Sequence, residues 1–352
     1  MEGPDRLHHS LTGADRLDPA LTGAAPLDLL TMLLSLDNSP AFVSNAPALP
    51  QSGHASLKPN NHTHTMGNIQ FGSEVYTWFM QGTGKGYDNK LDHMIKVASE
   101  AGFTGIEPMV LEISQSALGC SKYWLGPQID PILMKDTLQQ YNMKLCGLAL
   151  VCAWDGETEA PNEREAADFT INYLKHFPGA MLGTVTLPSG RKDNLQKRRL
   201  NIAKNVNAVS QRAHDAGLVC SYHPNSPPAS LVRTQEDYDV VLSSLDPKVT
   251  GWTPDVGHII RGGMDVIATL NKWQHLVNHI HYKDFSGNGA EPWAQMGTGK
   301  LDFHKITEWL TARNYSGWII CEDEAHGAVD DPDGVTKQNG EWCKTNLHPI
   351  VA

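Results

Sequence analysis

From Gly67 onward, short β-rich apolar runs alternate with amphipathic stretches about every 30 to 40 residues, the length of one strand–helix unit. Eight strand candidates follow in order, over 69–75, 105–109, 145–153, 181–187, 218–223, 251–256, 279–283 and 318–321. Between them, the stretches 87–101, 163–175 and 196–216 carry apolar residues at three- and four-residue spacing, the signature of helices with one buried face. Eight such alternations predict an α/β fold, a single closed parallel (β/α)8 barrel over residues 67–352. Gly102, Gly217 and Gly317 each stand between a helical stretch and a strand, where a left-handed helix cap is wanted. An open doubly wound sheet is the competing architecture. It usually carries a glycine-rich phosphate loop after its first strand, but Gly82-Thr-Gly-Lys-Gly86 has neither the GxGxxG nor the GxxxxGK[ST] spacing, so it reads as a first strand-to-helix loop.

Residues 1–66 are a different material, with Pro, Asn, Ser and His clusters and no sustained periodicity, and are read as a disordered N-terminal extension. The apolar stretch 27–36 is a poor secretory signal, because Asp28 interrupts it and no small-residue cleavage site follows. No apolar run approaches the roughly 18 residues of a membrane span. A formal net charge of -11 disfavours a surface built for nucleic-acid phosphates. The expected partners are therefore a small-molecule substrate and, in a homo-oligomer, further copies of the chain. The six cysteines contain no CxxC pair, and several sit in apolar strand-like runs, so they read as reduced core residues of a cytoplasmic protein.

In a barrel of this kind the chemistry collects at the C-terminal ends of the strands. Here those ends are rich in ligand-type side chains: Glu107 after strand two, His223 and Asn225 after strand five, Asp255 and His258 after strand six, His281, Lys283 and Asp284 after strand seven, and Glu322 and Glu324 after strand eight. Strand alternation points residues 279, 281 and 283 to one side. Asp255, His281 and Glu322 end neighbouring strands and can converge on one divalent cation, with His223 as fourth ligand. Two histidines with two carboxylates suit manganese first, with Co2+, Fe2+, Zn2+ or Mg2+ as alternatives. Each residue also has a structural reading: Asp284 can cap a helix and Glu324 can face water. Four consecutive strands ending this way are hard to explain by capping alone.

Taken in order, Gly102-Phe-Thr-Gly-Ile-Glu107, Asp255-Val-Gly-His258, His281-Tyr-Lys-Asp284, Gly297-Thr-Gly-Lys-Leu-Asp-Phe303 and Gly317-Trp-Ile-Ile-Cys-Glu322 resemble the xylose isomerase-like sugar phosphate isomerase/epimerase superfamily. That superfamily also contains endonuclease IV, D-tagatose 3-epimerase, hydroxypyruvate isomerase and inosose dehydratase. The resemblance covers roughly residues 71–347. It implies a metal carried by Glu, Asp, His and Glu at the ends of strands five to eight, and Asp255, His281 and Glu322 match the last three. At the first position this chain has His223, in Tyr-His-Pro-Asn-Ser-Pro, which departs from the two-glutamate epimerases and is similar to the dehydratase-like members.

The implied function is a metal-dependent keto-sugar isomerase or epimerase working through an enediolate, with dehydration of an inosose or keto-sugar as the alternative. Both remove a proton beside a carbonyl, which needs a Lewis acid. Glu322 is the candidate base. Lys283 is a second proton carrier if burial beside the cation depresses its pKa. The resemblance makes His258 a hydrogen-bonding partner of substrate oxygen, and Glu107 and Asn225 are counted with the substrate-binding residues. Arg261 is read either as a partner for a carboxylate or phosphate or as a solvated loop charge, and Trp293 either as a wall for the sugar face or as loop packing. An endonuclease IV-like repair nuclease would need further histidines on the early strands and a second Asp-x-His after strand seven. An accessory barrel subunit of a larger enzyme is the remaining class.

Overall fold

The computed structural model describes residues 68–81, 87, 89–111, 122–287 and 291–352. The expectations for residues 1–66 and for the loop 82–86 lie outside the described residues.

Eight parallel strands follow one another around a ring. β1 is Ile69–Glu74; β2 is split into Gly105–Glu107 and Met109–Leu111; β3 is split into Lys144–Leu145 and Gly147–Cys152; β4 is Met181–Thr186. β5 is Cys220–His223, β6 Gly251–Trp252, β7 Ile280–Tyr282 and β8 Gly317–Cys321. β1 pairs with both β8 and β2, and pairing continues in parallel from β2 to β6. Two parallel bridges, Trp252 with Val277 and Asp255 with His281, join β6 to β7, and β7 pairs with β8. The split in β2 falls at Pro108, which has no N–H to give the ladder; its carbonyl still accepts from the Ala149 amide at 2.9 Å. All eight strands sit where the apolar runs place them.

The helices Leu91–Glu100, Pro161–Leu174 and Leu195–Asp215 answer the three amphipathic stretches and turn their apolar faces to the barrel wall. Gly102 (φ 93°) and Gly217 (φ 80°) are the left-handed caps expected of them. A Cβ at either would touch nothing within 4 Å, so backbone conformation alone asks for glycine there. Gly317 is a correction: it is the first residue of β8, and the left-handed residue after the helix Phe303–Thr311 is Asn314 (φ 54°), followed by a Tyr315 amide bond to the Leu310 carbonyl. Asparagine tolerates that conformation nearly as well as glycine. Among the described residues no helix is long and apolar enough to cross a membrane.

Candidate metal centre and active site

Four of the side chains brought together at the barrel mouth hold buried atoms facing one another. Asp255, just beyond β6, caps the helix Val256–Arg261 by accepting from the His258 amide at 2.9 Å with Oδ1. Its other oxygen, Oδ2, is buried, makes no hydrogen bond, and lies 3.7 Å from His223 Nε2 at the end of β5. Both nitrogens of His223 and Nδ1 of His281 are likewise buried without a hydrogen-bond partner. His281 Nδ1 stands 3.5 Å from Glu322 Oε2, just after β8. Buried polar atoms without partners are costly, and several aimed at one another can be satisfied together by one bound cation. Ligand atoms from His223, Asp255 and His281 all fall within 4.8 Å of one another. Separations near 3.6 Å suit donors sharing one ion through bonds of about 2.1 Å. The residues present thus fit a divalent cation. Burial also keeps His223 below its ordinary pKa, so its imidazole stays neutral, as a metal ligand must.

Behind His281 lies Glu107, closing the first half of β2. Its Oε1 is 2.9 Å from His281 Nε2 and its Oε2 is 2.7 Å from His279 Nε2. This trio is also compact enough to hold a metal, but its atoms already satisfy one another by hydrogen bonds. Burial pushes the Glu107 carboxyl up, yet the two histidines outweigh it and hold the group well below the usual range. Burial pulls His281 down, and Glu107 and Glu322 more than reverse this, raising it to about 10 in the metal-free protein. The substrate-hydroxyl role expected of Glu107 does not match these contacts, because both oxygens are spent on histidines inside the barrel.

Lys283 is the second correction. It is fully buried, with Nζ 2.8 Å from Glu322 Oε1, 3.3 Å from Asp255 Oδ2 and in contact with Glu324 Oε1. Burial alone would lower its pKa as expected, but the three carboxylates overcome this and raise it well above the ordinary lysine value. The ammonium is therefore permanent, and Lys283 is a poor base. The same cation and His281 outweigh the burial of Glu322 and hold its carboxyl at about 2.

His258 joins this group. Its Nδ1 meets Ser226 Oγ at 2.7 Å, its Nε2 lies 3.3 Å from Lys283 Nζ, and burial drives its pKa well down, leaving a neutral imidazole. Trp293 covers the cluster: its ring centroid is 4.9 Å from Lys283 Nζ, 5.0 Å from the Arg261 guanidinium and 5.3 Å from the His258 ring. That ring packs on all three, and Arg261 stacks on it rather than standing in solvent. Asn225 does not join the site through its amide nitrogen, which donates to the Thr186 carbonyl at 2.8 Å. Asp284 does not cap a helix; it accepts the Gly297, Gly299 and Leu301 amides and so ties down the loop behind Trp293.

Glu324, named at the end of strand eight with water-facing as its structural reading, is only partly exposed, and Glu74 was not singled out in the sequence. Glu324 is gripped by Lys283, and burial lifts its carboxyl to about 7 even though that cation pulls it down. Its signal was the Glu322-Asp-Glu324 spacing, which puts both glutamates on one side of an extended chain. Glu74 ends β1 and pairs in register with Glu107; burial first, then Glu322, raise it well above the carboxylate range. A glutamate closing the first strand, where the other strand ends carry ligand-type residues, was the available clue.

A family model described as a xylose isomerase-like TIM barrel matches residues 95–346. An inosose dehydratase of Lactiplantibacillus plantarum is 26% identical over 297 residues, covering 74% of this chain and 90% of that protein. Among solved structures, a sugar phosphate isomerase/epimerase from Parabacteroides distasonis superposes with a TM-score of 0.61 at 15% identity, covering 83% of this chain and 98% of its own. The IOLI protein with a bound zinc atom superposes with a TM-score of 0.59 at 14% identity, covering 80% and 98%.

Proposed function

Because the chain belongs to the xylose isomerase-like TIM-barrel family, we propose that it is a divalent-metal-dependent dehydratase of a keto-cyclitol or keto-sugar. The observation that carries this reading is the buried Lys283 ammonium held by Asp255, Glu322 and Glu324, opposite a strand-five position occupied by the neutral His223. Epimerisation asks for proton carriers on two faces of the substrate. Here both glutamates beside Lys283, Glu322 and Glu324, follow strand eight, and strand five brings an imidazole instead of a further carboxylate. Elimination needs one side alone. The similarity to an inosose dehydratase supports the same choice.

A cation held by His223, Asp255, His281 and Glu322 would supply Lewis acidity to a substrate carbonyl and acidify the neighbouring C–H. The protein's own groups do the rest. Glu324 accepts that proton at a carboxylate oxygen while Lys283 keeps the carboxylate aimed at the mouth. As the C–O bond on the next carbon breaks, the same proton passes to the departing hydroxide, and the products are an enone and water. Lys283 remains an ammonium throughout and stabilises negative charge by position. His258, fixed by Ser226, presents its Nε2 to the cluster, and Trp293 keeps bulk water off it.

Isomerisation or epimerisation is the second reading. Glu324 is compatible with it too, since a carboxyl titrating at about 7 can take a proton and return it to an adjacent carbon without loss of oxygen. The deciding experiment loads the purified chain with Mn2+, and in parallel Zn2+, and offers ketoses and inososes in deuterated water. An absorbing enone or diketone product supports dehydration. Deuterium uptake into a recovered sugar without such a product supports isomerisation. No turnover with any metal overturns both and leaves the accessory-subunit class.

A further inference from the structure

We infer that Glu107 is a positioning residue that fixes which nitrogen of His281 faces the cation, and that His279 anchors Glu107 for this task. The inference rests on the metal centre proposed above. Glu107 is 3% exposed and His281 also 3%, so their bond is shielded from water. Glu107 meets a ring nitrogen with each of its two oxygens, His281 Nε2 at 2.9 Å and His279 Nε2 at 2.7 Å, and carboxylate oxygens accept, so the contact to His281 is Nε2–H donating to Oε1. With Nε2–H turned to Glu107, Nδ1 is the nitrogen left to give up its proton to a cation; it is the atom without a hydrogen-bond partner and it lies beside Glu322. A carboxylate in this place also makes the imidazole a stronger donor and holds its ring against rotation.

His279 completes the arrangement. It takes the second oxygen of Glu107 at 2.7 Å from one pleat further back on the β7 chain, so the carboxylate cannot swing away. Strand geometry sets the pair: residues 279 and 281 share one side, two residues apart, and Glu107 reaches both from β2, with β1 and β8 between. The chain thus runs His279, Glu107, His281, metal, with no exposed member.

The test compares Mn2+ affinity of the metal-free full chain with that of Glu107→Ala, Glu107→Gln, His279→Ala and the double variant, each checked for folding by its melting temperature. Glu107→Ala is expected to lose about 10- to 100-fold in affinity with all four ligands still present. Glu107→Gln should recover part of that loss, because its one carbonyl oxygen can still accept from His281. His279→Ala should cost less than Glu107→Ala, and the double variant no more than Glu107→Ala alone. In metal-loaded protein labelled at histidine nitrogen, the ring nitrogen that keeps its proton should be His281 Nε2.

A metal bound through Nε2, a folded Glu107→Ala with unchanged affinity, or additive losses in the double variant would overturn the assignment. If Glu107→Ala does not fold, Glu107→Gln and the nitrogen spectrum decide. A wild-type chain that takes up no Mn2+ sinks the metal centre itself, an outcome read directly from the first titration.

Discussion

His223 Nε2 and Asp255 Oδ2 stand 3.7 Å apart at the mouth of the barrel, and neither atom makes a hydrogen bond. Each is buried: Asp255 Oδ2 has only the Lys283 ammonium, 3.3 Å away, in place of water, and His223 Nε2 has no hydrogen-bond partner. Asp255→Ala and His281→Ala are therefore expected to reduce bound metal and turnover to background while circular dichroism stays that of the folded barrel. Asp255→Ala also deletes a helix cap, worth about 1 kcal/mol. Asp255→Asn is the cleaner variant, since an amide oxygen still caps the helix but carries no charge. Retention of metal by both Asp255→Ala and His281→Ala, measured by elemental analysis, would refute the ligand set.

Lys283 makes a prediction with the opposite metal dependence. Without a cation bound, its ammonium is what compensates Asp255, Glu322 and Glu324. Lys283→Met should destabilise chelator-treated protein by about 3–5 kcal/mol, the usual cost of leaving buried charge unpaired. Added Mn2+ should recover part of that, because metal binding to the folded state both neutralises the carboxylates and shifts the equilibrium by mass action. Melting temperatures with and without Mn2+ check this: the metal-induced rise should be larger in the variant than in wild type, and an equal rise would count against the proposed shared site.

The barrel was legible because its evidence is periodic: eight apolar runs at unit spacing name eight strands whatever their detailed ends. Asp255, His281 and Glu322 were legible for a related reason, since strand ends in such a barrel share one face. What failed was environment. Burial of Lys283 does suggest a lowered pKa, and only the three-dimensional neighbourhood reveals three carboxylates that reverse it. Glu107 ends its strand like a substrate ligand, but the sequence does not say that β7 brings His279 and His281 to its two oxygens. Glu324 was named at a strand end but left without a role, because alternate acidic residues after a strand usually face water.

Glu324 sets a pH dependence. In the unfolded chain its carboxyl titrates near 4.5, and in the folded, metal-free protein at about 7, burial being the larger cause. Between those values the folded state keeps a proton that the unfolded chain has released. The stability this contributes is complete below 4.5 and is lost as pH rises through 7. Glu324→Gln, a neutral mimic of the protonated group, should abolish that loss. Urea midpoints of chelator-treated protein from pH 4 to 8 therefore ought to diverge, with the variant relatively more stable above pH 7. Parallel curves would show that Glu324 titrates normally.

Gly299 tests how the loop over the site is held. Asp284 accepts the amides of Gly297 and Gly299 at 2.9 and 2.8 Å, and a Cβ at Gly299 would lie 2.3 Å from Asp284 Oδ1. The backbone at Gly299 is not left-handed, so the demand for glycine is purely spatial. An added methyl must push the carboxylate off its amides at a cost of about 1–3 kcal/mol. Asp284 also pairs antiparallel with Ala294, next to Trp293, so the displacement reaches the ring over Lys283 and Arg261. Gly299→Ala is expected to raise KM several-fold with metal content unchanged. Gly102→Ala is the control, destabilising by about 1 kcal/mol through its left-handed backbone and leaving KM alone, because nothing lies within 4 Å of the new methyl. Equal KM values in the two variants would mean that the loop brace does not govern how Trp293 meets the substrate.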